Sequence, residues 1–241
     1  MNGSTALEVL HIAPYAEIAD EYYDVARHPT CASLRELSSK FLLPRIAAFP
    51  MTLERLVEIG VGRSLLAPAW IKRGGDAGSL VLLDSSSAML AYSDEWRSTG
   101  ARLAVADARS LPFEDASVDV LVSSLGDPYN RPSFWDEVAR VLRTGGTALF
   151  TSPAHEWATR FRAPNNRDAA EFVRQDGTVL LMPSPIPSTE EQIAMFAEAR
   201  LDLREVQAFS THDLNSVPAP KLLCVKEGEP VVRGYVVHRR P

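Results

Sequence analysis

Three carboxylates, Glu58, Asp84 and Asp107, each close a short apolar run, and two glycines, Gly60 and Gly62, follow the first of them. In Glu58-Ile59-Gly60-Val61-Gly62 the glycines let the backbone turn sharply and approach a ligand closely. A glycine turn between the first strand and helix of a doubly wound sheet is where such sheets bind nucleotides. Dinucleotide sites carry a third glycine, in GxGxxG, and seat a pyrophosphate at the helix N-terminus. Here Leu65 holds the third position, and Glu58 puts a negative charge where phosphate would lie. Such a turn repels phosphate and suits a nucleoside carrying ammonium and sulfonium charges. Asp84 is spaced to accept ribose hydroxyls, and Asp107 can accept an adenine amino group. Each also has an ordinary reading: a plain strand-to-helix turn, a helix N-cap and a turn former. Three carboxylates at three successive strand ends favour adenosine recognition. S-adenosylmethionine (SAM) joins an adenosine to those two cations without phosphate.

The elements that must position these residues follow from hydrophobic periodicity. PYAEIADEYYDVARH reads as a helix broken at Pro29, and CASLRELSSKFLLPRI as a second, with apolar positions at helical spacing before Pro44. From Thr52 short apolar runs alternate with amphipathic stretches. ERLVEIG, SLVLLD, ARLAVAD, VDVLVSS and TALFTS read as strands; SLLAPAWIKRGG, AMLAYSDEWRSTG and PSFWDEVARVLRTGG read as helices, the last closed by its glycines. Alternation of this kind predicts an α/β fold, a parallel sheet covered on both faces. The continuous apolar character of SLVLL and VDVLV agrees, because parallel strands are buried on both sides. Beyond Pro153, APNNRDA is a loop, Asp176-Gly177 predicts a two-residue hairpin turn, and Ser188 with Glu191 predicts a capping box. LREVQAFS and VVRGYVVHRR are two further strands that finish the sheet as an antiparallel edge.

Composition excludes several classes. With 25 Lys+Arg against 31 Asp+Glu the net charge is −6, which offers no footprint for a phosphate backbone and argues against a nucleic-acid partner. Two cysteines, Cys31 and Cys224, lack metal-ligand spacing, so neither a disulfide framework nor a metal is expected. MNGSTALEVLHIAP is not patterned as a signal peptide, and no stretch approaches the roughly 18 apolar residues of a spanning helix. A cytoplasmic protein without a membrane partner is the expectation; the oligomeric state is open.

VEIGVGRS, VLLDSSSAML, ADARSLPFEDASVDVLVSS and EVARVLRTGGTALFTSP, in that order between about Leu56 and Pro153, resemble the class I, Rossmann-like SAM-dependent methyltransferases. The branch resembled acts mainly on small molecules and includes quinone C-methyltransferases. The resemblance implies a three-layer, mostly parallel seven-stranded sheet in the order 3-2-1-4-5-7-6 with the last strand antiparallel. It implies that Glu58, Gly60 and Gly62 surround the methionine part of SAM and that Asp84 binds the ribose hydroxyls. Ser85 and Met89 would lie beside the adenine, Asp107 on its amino group and Ala108 with its N–H on the ring. Ser123 and Ser124 would floor the site near the methyl group. Two departures stand out: Ser64 replaces the usual third glycine, and Thr144 replaces the proline before the paired glycines.

By the same resemblance, residues 1–50 form an N-terminal helical lid, 51–241 the SAM-binding core, and 154–187 a substrate roof to which Trp157, Phe161 and Phe172 give apolar contacts. Tyr15, Tyr22 and Tyr23 lie in the lid, with Tyr23 the residue expected to close over the cofactor. Arg35 can pair with the SAM carboxylate or with a surface acid. Methyl transfer from a sulfonium is an in-line displacement that needs positioning more than a catalytic side chain. Where the acceptor arrives protonated a base is required; His155, His28 and Tyr23 are the candidates. Asp127-Pro128-Tyr129-Asn130 is similar to an amino-methyltransferase motif but reads better as a turn into the next helix. A small-molecule methyltransferase, releasing S-adenosylhomocysteine, is the expected function. The alternatives are a non-catalytic SAM-binding module, a protein methyltransferase and, more remotely, an NAD(P)-dependent oxidoreductase.

Overall fold

The computed structural model describes residues 14–162 and 168–240, without the side chain of Phe161. The N-terminal stretch before Pro14 and most of the APNNRDA loop therefore lie outside the described residues.

The main sheet has seven strands: β1 (Leu56–Ile59), β2 (Leu80–Asp84), β3 (Arg102–Val105), β4 (Val118–Ser123), β5 (Leu142–Pro153), β8 (Leu201–Phe209) and β9 (Val232–Arg239). Their order is β3-β2-β1-β4-β5-β9-β8. The strand last in the chain, β9, runs antiparallel to both neighbours, and the edge strand β8 runs with the rest. Every residue of β1, β2 and β4 is buried, as expected where helices cover both faces. Successive residues serve opposite cores. Leu56, Leu80, Leu82, Val120 and Val122 pack on the face of α1 (Pro29–Ala48) and α2 (Leu66–Lys72). Val57, Ile59, Leu83 and Leu121 pack on the face of α4 (Pro132–Val141) and α6 (Thr189–Glu198).

Pro29 opens α1, where its fixed φ and missing N–H cost nothing. Leu34, Leu37, Phe41, Leu42 and Ile46 form the buried stripe. The helix continues through Pro44 to Ala48. A proline costs an interior helix about 3 kcal/mol, and burial of Ile46 on the far side of it opposes that cost. Phe41 lies flat on Gly234 of β9, where an added Cβ would fall within its ring. Gly234→Ala is therefore expected to lift α1 from the sheet and cost about 1–3 kcal/mol in a denaturant titration.

Three expectations are corrected. Residues 14–28 are not a helix: a 3-10 turn spans Tyr15–Glu17 and turns follow. The Asp24 carboxylate takes the N–H groups of Ala26 and Arg27, which diverts the chain from helical bonding. The helix PSFWDEVARVLRTGG ends at Val141, not at its glycines. Leu142 is already extended (ψ 135°) and pairs with Val118, so Arg143–Gly146 enter β5 with Gly145 at φ +73°. A bulge in the β4–β5 register accommodates them. The hairpin of β6 (Ala169–Val173) and β7 (Val179–Pro183) turns through three residues, not two. Gly177 closes a turn back to the Arg174 carbonyl at φ +84°, and Arg174 N–H bonds Thr178. The Ser188–Glu191 capping box is present.

This hairpin packs on the N-terminal segment. Leu180 and Met182 cluster with Ile18, Tyr15, Tyr22 and Phe172. Buried Glu21 accepts from the Gln175 N–H (3.0 Å) and from Arg174. Among the described residues no helix is long and apolar enough to cross a membrane.

Candidate functional site

The β1–α2 turn is held from within. Gly60 and Gly62 adopt left-handed φ values of +63° and +42°, which other residues reach only with strain. Gly62 N–H donates to Asp84 Oδ2 (3.0 Å) while Asp84 Oδ1 accepts from Ser86 N–H (2.9 Å). Asp84 thus fastens the first turn to the second, and burial raises its pKa. Tyr129 covers Gly60: its hydroxyl donates to the Ile59 carbonyl (2.9 Å) and lies 2.8 Å from Ser123 Oγ.

Glu58 points into its own turn. Its carboxylate accepts from Ser64 Oγ and from the N–H groups of Leu65 (3.0 Å) and Leu66 (3.2 Å), capping α2. Ser64, in the place of the usual third glycine, is therefore a partner of Glu58. Burial pushes the Glu58 carboxyl up to about 7 from an ordinary 4.5, against the effect of those three bonds. A carboxyl raised on folding favours the native state in full below its unfolded pKa, and that contribution is lost as pH rises through about 7. Glu58→Gln, which keeps the accepting oxygen, is expected to shrink the fall in Tm between pH 5 and pH 8. Asp84 and Asp127, also raised, account for what remains.

Above the turn lies a cavity of about 400 Å³ lined by Gly60, Asp84, Ser85, Met89, Ser124 and Tyr129 from the sheet side. Tyr15, Tyr22, Tyr23 and Arg35 close it from the N-terminal side. The Tyr23 hydroxyl accepts from Arg63 N–H (2.6 Å), directly over Gly62, where any Cβ would collide with it. Its ring lies between the guanidinium groups of Arg35 and Arg63, each 4.6 Å from the centroid. Arg35 also lies over Tyr22, and its Nη1 is buried with no hydrogen-bond partner among the described residues. A buried guanidinium N–H is ordinarily paired, so this one is available to an anion or carbonyl from outside the described residues.

A second chamber of about 310 Å³ adjoins the first and shares Tyr15, Tyr22 and Leu125 with it. Leu125 holds φ +54°. It is fixed there by donation of its N–H to Thr151 Oγ1 (2.9 Å), itself 2.7 Å from Ser38 of α1, which also meets Ser124 at 2.7 Å. The chamber's apolar walls include Leu34, Trp157 and Phe172, and its polar ones His28, Cys31, Asp127, Arg162 and Ser184. Burial lowers the His28 pKa.

Of the residues expected around a cofactor, Gly60, Asp84, Ser85, Met89, Ser124 and Tyr23 line the first cavity. Glu58, Gly62, Ala108 and Ser123 stand behind it, and Ala108 packs into the lower core. Asp107 is not brought to the cavity: its carboxylate is half exposed and held by Arg109 (2.6 Å), which lowers its pKa. His155 opens α5 (His155–Phe161) but lines neither space; its Nδ1 meets the Ile186 carbonyl at 3.1 Å. Asp127–Tyr129 is the 3-10 turn that sequence suggests, yet it also supplies walls to both chambers. Arg162 and Ser184 have no reading as site residues in the sequence, and Asp127 reads there as part of a turn rather than of a site. The available signal was an acidic residue four positions past the strand β4.

Residues 57–150 match the family described as "Methyltransferase domain". Among curated proteins, the chain is 30% identical over 140 residues to a ubiquinone/menaquinone biosynthesis C-methyltransferase, UbiE, of Laribacter hongkongensis. That alignment covers 56% of this chain and 57% of the relative, so it spans little more than half of the relative's length. A SAM-dependent methyltransferase structure from Clostridium acetobutylicum superposes with a TM-score of 0.64 at 13% identity, covering 94% of this chain and 99% of that one. Another from Methanosarcina mazei gives 0.61 at 18% identity over 82% and 97%. At such identities the two structures speak for the fold alone. Matched segment, sheet order and turn agree: the chain carries a methyltransferase-domain match over residues 57–150 on a Rossmann-like methyltransferase fold, and it resembles the class I SAM-dependent methyltransferases, the quinone C-methyltransferases among them.

Proposed function

We propose that the protein transfers a methyl group from SAM to a small organic acceptor by in-line displacement. The observation that carries this reading is the pair of adjoining spaces, one over the β1–α2 turn and one beneath the β6–β7 hairpin, which share a wall of Tyr15, Tyr22 and Leu125. In this reading the first space holds SAM. Gly60 admits the methionine part, Asp84 takes the ribose hydroxyls, and Ser85 and Met89 flank the adenine. Arg35 receives the carboxylate on its unpaired Nη1, and Tyr23 closes over the turn. Glu58 acts through Ser64 and the helix N–H groups, shaping the turn. Asp107 would reach an adenine only by leaving Arg109. In this reading residues 1–50 serve as lid and 51–241 as core, with 154–187 as its roof.

SAM supplies an electrophilic methyl group, so the chain's share of the work is to hold the acceptor atom in line with it and keep water away. The largely apolar second chamber suits that purpose, and the small-molecule role named for the UbiE relative supports an acceptor of this size. Calorimetric titration is the test: SAM and S-adenosylhomocysteine are expected to bind with micromolar or better affinity and NAD(H) not at all. Binding of NAD(H) in the absence of SAM binding would sink the proposal.

A further inference from the structure

We infer that the second chamber takes an acceptor whose reacting atom is a proton-bearing oxygen or nitrogen on an apolar, ring-like body, and that Asp127 receives that proton. The inference rests on the methyltransferase reading above and narrows it.

Asp127 stands where the two spaces meet. Leu125, two residues before it, faces both; Asp127 lines the second chamber, and Pro128 beside it lines the first. Three separate segments converge on the carboxyl. Ser184, just past β7, donates its hydroxyl to Asp127 Oδ2. Arg162, just past α5, donates to Ser184 Oγ (2.6 Å) and to the Ser184 carbonyl. Arg162 and Asp127 are thereby held in a row through one serine, and Asp127 and Ser184 are 7% and 1% exposed. A carboxylate buried only for structure collects donors until its oxygens are satisfied. Glu58 does so, with three from other residues. Among the described residues Asp127 has one from another residue, Ser184, and faces a chamber.

The remaining groups around Asp127 leave it as the charge that changes near neutral pH. The phenols of Tyr15, Tyr22 and Tyr129 feel its charge, and burial raises all three, so they stay neutral. Cys31, from α1, is pushed up to about 11 by burial and is neutral too. Arg162 is the facing cation. His28 also lines the chamber, and burial lowers its pKa. Burial pushes the Asp127 carboxyl up to about 6, with the Ser184 bond and the Arg162 charge acting the other way. A base in that range is matched to work at neutral pH. The acceptor's proton passes to the carboxylate, which becomes a neutral acid. A lone pair of the acceptor atom bonds the methyl carbon while the carbon–sulfur pair leaves with sulfur, and the pair that held the proton stays on the acceptor atom. Water later takes the proton from Asp127. Tyr22, Trp157 and Phe172 provide the flat apolar walls that a ring requires.

The test compares 4-ethylphenol, 4-ethylaniline and 4-ethylanisole, which share a body and differ in the proton. Each is titrated calorimetrically into protein saturated with S-adenosylhomocysteine, near pH 8 and near pH 5. At the higher pH the phenol, the aniline or both are expected to bind about tenfold or more tightly than the anisole. The phenol–aniline contrast distinguishes an oxygen from a nitrogen acceptor. Near pH 5, where Asp127 is protonated, the preference is expected to fall to about twofold or less. Asp127→Ala is expected to lose it at the higher pH while binding S-adenosylhomocysteine as before. The wild-type pH comparison stands even if that variant folds poorly. Equal binding of all three probes near pH 8, binding of none, or a preference untouched by pH would overturn the inference. Failure of S-adenosylhomocysteine to bind would instead strike the reading beneath it, and the same titration records that separately.

Discussion

Arg35→Met is expected to weaken SAM binding by about 10- to 100-fold while moving Tm little. The methionine keeps an unbranched apolar stem against Tyr22 and Tyr23 and removes only the guanidinium. A hydrogen bond between charged groups contributes about 1.5–3 kcal/mol, and burial places the Arg35 Nη1 at the upper end of that range. Because Nη1 has no partner among the described residues, its loss strands no acceptor among them. A purely structural arginine would behave in reverse, lowering Tm and sparing affinity. Arg35→Lys is expected to recover part of the binding, since the charge returns but the planar fork does not. Calorimetric titration of SAM beside thermal melts of the same samples separates the two outcomes.

Trp135→Ala carries the largest expected effect on stability. Trp135 is fully buried and meets Phe134, Phe150 and Phe196 edge-on at centroid distances of 4.8, 4.9 and 4.5 Å. Its Nε1 donates to Asn130 Oδ1 (2.9 Å), and Asn130 in turn donates to buried Gln192 (2.7 Å). Truncation leaves a cavity that three rings cannot close and strands a buried carbonyl. A loss of about 3–5 kcal/mol is expected, equivalent to roughly 6–20 °C in Tm for a chain of this size. Trp135→Phe, which fills most of the space without the donor, is expected to cost a fraction of that. Since Asn130 follows the Asp127–Tyr129 turn directly, the alanine variant is also expected to loosen the second chamber.

The order of strands was readable because the physics of a parallel sheet is local. VDVLVS and LVLLD are apolar apart from Asp119, Ser123 and Asp84, and burial on both faces favours such near-continuous runs. Gly60, Gly62 and Asp84 were readable for a related reason: positive φ and a strand-end carboxylate are written in single residue types. Less legible were features decided by partners, near or distant, that a single residue type does not declare. The helix expected over residues 14–28 is absent because Ile18, Tyr15 and Tyr22 pack on a hairpin about 150 residues later in the chain. Glu58 was expected to face a cation, and its carboxylate instead caps the following helix; both uses call for the same residue at the same place. Asp107 was expected at an adenine and is held by Arg109, only two residues on. Asp127 shows the opposite case. Its local reading as a turn was sound, and its burial depends on Ser184 and Arg162, which no spacing rule connects to it.

The wall of Tyr15, Tyr22 and Leu125 has a thermodynamic consequence. A ring that touches both spaces cannot be fixed for one occupant and left loose for the other. Whatever SAM contributes to ordering that wall, a later acceptor does not have to contribute again, so the two occupants assist each other. Linkage makes the assistance symmetrical: the factor by which SAM tightens the acceptor equals the factor by which the acceptor tightens SAM. The wall also leans on the β6–β7 hairpin through Ile18 and Glu21, and Phe172 of that hairpin lines the second chamber, so the same coupling extends to the hairpin. In the proposed reading, departure of a methylated product weakens the hold on the spent cofactor by that same factor.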